Sequence, residues 1–345
     1  MLESEKIYLS DRLLPGNWSR LLFGKSRKQE HWQQSWHIHE SCEISKFAEV
    51  ITNGGVYVGP RTRIAASSHI VSSGNAFSFT RDKVAFGDVI IGSDVTIEKH
   101  TAIYPGSVIP DGSVVNRSNS YKFTDNEDAW DQIDLSFANA KKPLFVLSTG
   151  RSGSVSISDA LSKNPAYKSK HESIKALTMA GYLKEHHHQT FLRHRSSFMN
   201  RMQFAGQIAS PGIWAESDQR LFNMIDELLE CYPDSMFIHL VRDFEPWESS
   251  AREKLWYECN AKNHLWERFR PHPVDDPNWI NVGGFEKRKW YYDFVNDRIR
   301  RDLKKLVASN DRMEVNLDGE ERDSTIQAFL GHPIQLSRKN VGKKP

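Results

Sequence analysis

The stretch "PLFVLSTGRSGSVSISDALSKNP", residues 143–165, passes from an apolar run into a Ser/Gly-rich loop and then into a helical pattern. A strand that empties into such a loop ahead of a helix is an anion cradle: successive backbone N–H groups converge, and the helix adds its positive end. Gly150 and Gly153 let the backbone approach an anion, Ser152 and Ser154 offer hydroxyls, and Arg151 supplies a permanent cation able to fork onto two oxygens. The lysine of the commonest nucleotide loop, G-x-x-x-x-G-K-[ST], and the metal-binding hydroxyl after it are missing, so a Mg-nucleoside triphosphate site would be incomplete. The loop suits an anion bound without metal.

Around this stretch the chain alternates short β-rich runs with helical patterns, which predicts a parallel sheet covered by helices. "PLFVLS" (143–148), "MFIHLV" (236–241) and "RMEVNL" (312–317) read as strands. "QRLFNMIDELLECYP" (219–233), "FEKRKWYYDFVNDRIRRDLKKLV" (285–307) and "STIQAFLG" (324–331) read as helices.

Residues 56–118 follow another rule. Val58, Ile64, Ile70 and Ala76 lie six apart; after a three-residue shift, Phe79, Ala85, Ile91, Ile97, Ile103, Ile109 and Val115 do the same. Neither a helix nor an alternating strand has a period of six; a stacked solenoid does, each hexad supplying one short strand and one corner. "VIIGSDVTIEKHTAIYPGSVIPDGSVVNRS" (89–118) is its clearest part, and it resembles the hexapeptide-repeat left-handed parallel β-helix family, with roughly three to four coils. The resulting division is an N-terminal arm (1–46), a β-helix (47–118), a polar linker (119–142) and the α/β domain with its phosphate-binding loop (143–345). The arm holds Trp18, Trp32 and Trp36; its His37, His39 and Cys42 can be imagined as metal ligands, but aromatic packing on the solenoid end is the simpler use.

A second element, "FIHLVRDFEPWESS" (237–250), places Arg242 at a strand end and Ser250 in the helix that follows. "RSGS" and "LVRD…S", in this order, resemble the sulfotransferases that use 3′-phosphoadenosine 5′-phosphosulfate (PAPS), and "IWAESDQRLFNMIDELLECYPDSMFIHLVRD" and "RMEVNLDGEERDSTIQAFLGHP" resemble that family's leading and closing elements. The chain departs from the family at Val155, where a Thr or Ser is usual, and at Phe244, where a proline is. The resemblance implies that Thr149, Gly150, Arg151, Ser152, Gly153 and Ser154 hold the 5′-phosphosulfate and that Arg242 and Ser250 hold the 3′-phosphate. It also implies a catalytic base at Glu172 in "KHES", with His171 as its rival, while Arg151 stabilises the departing phosphate. Without the family, Glu172 reads as a carboxylate at a helix N-terminus. Asn340 and Lys343 are candidates to close over the 3′-phosphate.

The remaining features read as surface or core. His186–His188 and Arg193, Arg195 and Arg201 read as exposed, and the six tryptophans after residue 200 as core. The solenoid brings an alternative, a second acyl-transfer activity at His69 or His100; a third reading is a non-catalytic nucleotide- or glycan-binding protein. A hydroxyl acceptor, in the first instance a saccharide, and a homotrimer through the β-helix are the partners expected.

Composition narrows the field. With 39% hydrophobic and 26% charged residues and a formal net charge of +2, the 345-residue chain reads as globular and not as a strongly basic nucleic-acid binder. The N-terminus has no basic start and apolar core of a secretion signal, and no apolar run is long enough for a bilayer. Three scattered cysteines, Cys42, Cys231 and Cys259, fit a reduced cytoplasmic setting and lack metal-pair spacing.

Overall fold

The computed structural model describes residues 36–336, apart from 53, 73–76, 81–82, 124, 137–141, 255–256, 258–270 and 274–275. Trp18, Trp32, Asn340 and Lys343 lie outside the described residues. The chain divides into two compact units, residues 1–80 with 84–134, and residues 81–83 with 135–345.

In the first unit, six-residue spacing becomes three parallel sheets visited in turn. One round is β1 (Trp36–Ile38), β2 (Glu43–Ile44) and β3 (Glu49–Thr52); the next is β4 (Val56–Val58), β5 (Arg63–Ile64) and β6 (His69–Ser72). A separate two-stranded pair, β7 (Phe77–Thr80) and β8 (Lys83–Phe86), interrupts the winding. It then resumes with β9 (Val89–Ile91), β10 (Thr96–Ile97), β11 (Ala102–Ile103), β12 (Val108–Ile109) and β13 (Val114–Val115). The sheets run β1-β4-β9-β12, β13-β10-β5-β2 and β11-β6-β3, all pairings parallel. Val58, Ile64, Ile70, Ile91, Ile97, Ile103, Ile109 and Val115 are all at most 2% exposed and share one core. Each such aliphatic burial contributes about 1.5–3 kcal/mol, so the stack is held by its repeat.

The corners repeat with the strands. Arg61 and Ser67, then Asp94, His100, Gly106 and Gly112, each hold a left-handed backbone, six residues apart within each run. Two expectations are corrected here. The winding already includes Trp36, inside the stretch read as an arm, because β1 and β2 pair with β4 and β5. Phe79 and Ala85 do not continue the hexad register; they belong to the β7–β8 pair, which explains the three-residue shift. His37 stacks on Tyr57 at 4.7 Å, and the Cys42 thiol donates to the Gly59 carbonyl at 3.0 Å. The polar stretch after Ser118 includes a short helix, α1 (Glu127–Trp130), capped by Asn126, and it buries Trp130.

The second unit is built on a five-stranded parallel sheet in the order β15-β16-β14-β17-β18. Its strands are β14 (Leu144–Ser148), β15 (Tyr167–His171), β16 (Ile213–Ser217), β17 (Met236–Val241) and β18 (Arg312–Asn316). The helices are α2 (Ser154–Ser162), α3 (Leu177–His186), α4 (His188–Ala209), α5 (Ile225–Cys231), α6 (Phe244–Glu253), α7 (Gly284–Leu306) and α8 (Arg322–Leu330). β14 is central and buried along its length, which explains its unbroken apolar run. The helix expected over 219–233 is two pieces, a 3-10 turn at Gln219–Asn223 and then α5. Gly331 ends α8 in a left-handed conformation, the usual helix stop.

Several residues read as exposed are not. Arg201 is 1% exposed and donates to the Ser197 carbonyl, and Arg195 pairs with Glu227 and Glu230. The His186 ring stacks on His272 at 4.2 Å, and burial followed by the neighbouring His272 and His187 takes its pKa down to about 4; His187 and His188 are exposed. Trp214 and Trp247 are core residues, whereas Trp256 and Trp266 lie outside the described residues.

Candidate active site

The site forms at the C-terminal ends of the parallel strands, the edge where open α/β sheets place ligands. At the end of β14, Gly150 (φ 73°), Arg151 (55°) and Gly153 (78°) all take left-handed backbone. Two of the three are glycine because the conformation costs other residues about 1–2 kcal/mol. A Cβ on Gly153 would also overlap Leu317 Cδ1. Among the described residues no side chain caps the first turn of α2. Its positive end therefore faces the loop.

The loop is fastened from inside. Thr149 and Ser152 are fully buried; their hydroxyls lie 3.0 Å apart and reach the Gly150 carbonyl at 3.1 and 3.2 Å. The buried Trp247 indole donates to that same carbonyl at 2.9 Å, and Tyr291 donates to the Thr149 carbonyl at 3.1 Å. Ser154 Oγ lies 3.0 Å from His171 Nε2. The hydroxyls read from sequence as anion ligands thus take part in holding the loop's shape.

Arg151 and the second sequence element meet. The Arg151 Nε–H donates to Ser250 Oγ on α6 at 3.0 Å, bridging 99 positions of chain. Burial pushes the Arg151 guanidinium down from its ordinary range; Glu253 pulls it back, and Arg242 adds to the downward push. Arg242, at the exit of β17, donates from Nε to Asp318 Oδ1 at 3.4 Å; Asp318 also accepts from the Asp243 N–H at 3.0 Å. Asp318 was not singled out in the sequence; its place two residues past the end of β18 is the signal that could have marked it. Phe244 opens α6 among Trp247, Phe285 and Tyr292.

His171 ends β15 and Glu172 follows it, five residues before α3 begins, so Glu172 is a strand-end residue and not a helix-N-terminal carboxylate. Its backbone is left-handed at φ 48°, uncommon for a non-glycine residue and found preferentially at functional sites. The carboxylate oxygen Oε1 accepts from Gln219 Nε2 at 2.9 Å, and the backbone N–H donates to the Ser217 carbonyl at 3.1 Å. Burial works to raise this carboxyl, but His171, Arg220, Lys175 and the Gln219 amide together hold it well below the usual carboxylate range. Burial pushes both His171 and Lys175 down from their ordinary ranges, so the cationic neighbour that counts most is Arg220. An ionised carboxylate can take a proton; a neutral imidazole already bonded to Ser154 is worse placed to do so.

Behind Glu172 lies a polar cluster that sequence reasoning missed. The Glu216 carboxylate accepts from the Ser173 N–H (2.8 Å) and hydroxyl (2.5 Å); burial, then Asp218, raise its pKa to about 7 against the Ser173 bonds and Arg220. The Asp218 carboxylate accepts from Arg220 N (2.8 Å), Nε (2.6 Å) and Nη2, and is fully buried. The run "ESDQR" (216–220) directly after an apolar strand opening carried the signal: charges at the end of a parallel strand.

A sulfotransferase domain model matches residues 143–317, half of the chain. Among solved structures, a sulfotransferase of Alicyclobacillus acidocaldarius is similar at 14% identity and a TM-score of 0.38, covering 60% of this chain and 87% of that one. The sulfotransferase domain of the Synechococcus PCC 7002 olefin synthase is similar at 14% identity and 0.37, covering 57% and 75%. A sulfotransferase of Mycobacterium avium is similar at 16% identity and 0.37, covering 58% and 66%. No curated protein matches. With a match that runs from β14 through β18, the chain belongs to the sulfotransferase-domain family.

Proposed function

We propose that the protein moves a sulfuryl group from PAPS to a hydroxyl acceptor, with a saccharide as the first class to test. The observation that carries this reading is the meeting of Arg151 with Ser250 beside Arg242: it puts two arginines and a helix N-terminus at one place, a chemistry fitted to a nucleotide with two separate anionic groups. The donor would supply an activated sulfuryl group on a phosphate leaving group. On the protein's side, the loop backbone with Thr149, Gly150, Ser152, Gly153 and Ser154 shapes the cradle, and Arg151 offsets charge on the departing phosphate. Arg242 and Ser250 hold the 3′-phosphate, Arg242 exchanging part of its contact with Asp318 for it. Glu172 takes the acceptor proton as attack proceeds, and His171 orients Ser154 at the start of α2. No group of three or more metal-ligating side chains that could hold an ion occurs among the described residues. The reading needs none: arginines and helix N–H groups do the electrostatic work.

The winding unit we read as a left-handed hexapeptide-repeat β-helix, its domain running into the polar segment before the α/β domain. It serves as a scaffold that trimerises or presents a long acceptor. The cytoplasmic setting is part of the same reading; Cys42 and Cys231 are free thiols, and no described helix is long and apolar enough to cross a membrane. One observation favours a second activity there: His69 Nδ1 lies 2.8 Å from Glu49 Oε2 on an exposed face, an oriented imidazole of the kind acyl transfer uses. His100 sits at a left-handed corner, which gives it a structural role instead. Acetyl-coenzyme A turnover lost in His69→Ala separates this from the scaffold reading.

The test is transfer of labelled sulfate from PAPS to a panel of glycosides, with Glu172→Gln as control. Label in a glycoside, lost in the variant while nucleotide binding persists, supports the proposal; transfer undiminished in Glu172→Gln removes Glu172 as the base. Nucleotide binding without transfer by either protein favours the non-catalytic reading.

A further inference from the structure

The exit of β15 is gripped by the exit of β16. Ser217 O accepts from the Glu172 N–H, Glu216 accepts twice from Ser173, and Gln219 Nε2 donates to the Glu172 carboxylate. Gln219 itself cannot drift. It opens the 3-10 turn Gln219–Asn223, whose N-cap Asp218 accepts from the Arg220 N–H and from the Arg220 guanidinium, all in the buried interior.

The amide of Gln219 turns its NH2 end to Glu172, to whose carboxylate it donates, and its oxygen away. That choice leaves Gln219 Oε1 buried without a hydrogen-bond partner among the described residues, in a residue 8% exposed. Buried unsatisfied acceptors are rare because they cost stability, and sequences retain them at functional sites. A second local violation sits on the other partner: Glu172 holds the left-handed backbone that a non-glycine residue avoids. Two unfavourable features meeting across one 2.9 Å hydrogen bond mark the bond itself as what is kept.

We infer that Gln219 is a positioning residue: its side-chain amide holds the Glu172 carboxylate in a single orientation, with the Asp218–Arg220 pair as its anchor. The inference rests on the reading of Glu172 as the base; the hydrogen bond can be tested independently of it.

The experiment is carboxyl-carbon NMR on glutamate-labelled full-length protein, with the Glu172 signal assigned by its disappearance in Glu172→Gln. Gln219→Met removes the donor at similar length, and Gln219→Glu sets a second carboxylate against the first. In the wild type, Glu172 stays ionised down the acidic range. In Gln219→Met its signal moves at neutral pH, and its proton affinity rises about tenfold, the worth of one lost bond to a charged group. In Gln219→Glu the Glu172 carbon shifts and titrates in two steps shared with the new carboxyl, because two adjacent carboxylates cannot both ionise freely. Thermal unfolding and binding of 3′-phosphoadenosine 5′-phosphate check that each variant is folded; if Gln219→Met unfolds, Gln219→Glu still decides. A Glu172 signal indifferent to the replacements overturns the inference. A Glu172 signal that responds in a protein that binds no nucleotide leaves the inference standing and brings down the donor assignment instead.

Discussion

Replacing Gly153 by alanine tests whether the loop between β14 and α2 is shaped by sterics as well as by backbone conformation. Gly153 and Gly331 have nearly the same left-handed φ, 78° and 69°, but different surroundings. A Cβ on Gly331 meets nothing within 4 Å, whereas one on Gly153 overlaps Leu317 Cδ1 in the core beneath β18. For Gly331→Ala the left-handed cost of about 1–2 kcal/mol, offset by about 0.4–1 kcal/mol of lost unfolded-state freedom, leaves about 1 kcal/mol. Gly153→Ala adds overpacking of about 1–3 kcal/mol, for about 2–4 kcal/mol in all. In a unit of this size that corresponds to a Tm lower by about 4–16 °C, against about 2–4 °C for the control. Thermal unfolding by circular dichroism on both variants gives the comparison, and calorimetry with 3′-phosphoadenosine 5′-phosphate shows whether affinity falls only in Gly153→Ala. Equal losses in the two variants would refute the packing argument, because Leu317 would then be yielding at no cost.

Other outcomes follow from single contacts. Glu216→Gln should flatten part of the pH dependence of stability: the wild-type carboxyl is raised from 4.5 to about 7, so its contribution is full below pH 4.5 and lost as pH rises through 7. The variant gains on the wild type across that window by about 3 kcal/mol, read from urea midpoints at a series of pH values. Ile97→Ala, at a fully buried rung of the winding unit, should cost about 2–5 kcal/mol there; denaturation followed by fluorescence and circular dichroism checks the loss. Trp247→Phe removes the indole donor to Gly150 O and should weaken nucleotide binding about tenfold, measured by calorimetry.

Much of the architecture is legible in the sequence because it rests on periodicity. The hexad aliphatics of the winding unit point inward at every rung, and the central strands β14 and β17 read as apolar runs because parallel strands are covered on both faces. Edge strand β15, "YKSKH", was invisible for the opposite reason: two lysines and a histidine on a partly exposed strand carry no apolar signal. The β7–β8 excursion hid inside a register shift, since a two-stranded pair leaves the hexad spacing almost intact on either side. At the site, loop and arginines were readable as motifs, but their meeting was not. Arg151–Ser250, Arg242–Asp318 and Gln219–Glu172 join residues 99, 76 and 47 positions apart, and only the sheet order brings them together. The inward turn of Thr149 and Ser152 was equally hidden, because a Ser/Thr-rich loop reads the same whether its hydroxyls bind a ligand or one another.

The central claim is that Arg151, Arg242 and the α2 N-terminus form a metal-independent site for a phosphoadenosine nucleotide. Calorimetric titration of 3′-phosphoadenosine 5′-phosphate into the wild type and Arg242→Ala, in buffer free of magnesium, tests it most directly. The account predicts binding to the wild type without metal and a loss of at least about tenfold in the variant. No binding to either protein, or equal binding to both, would contradict it.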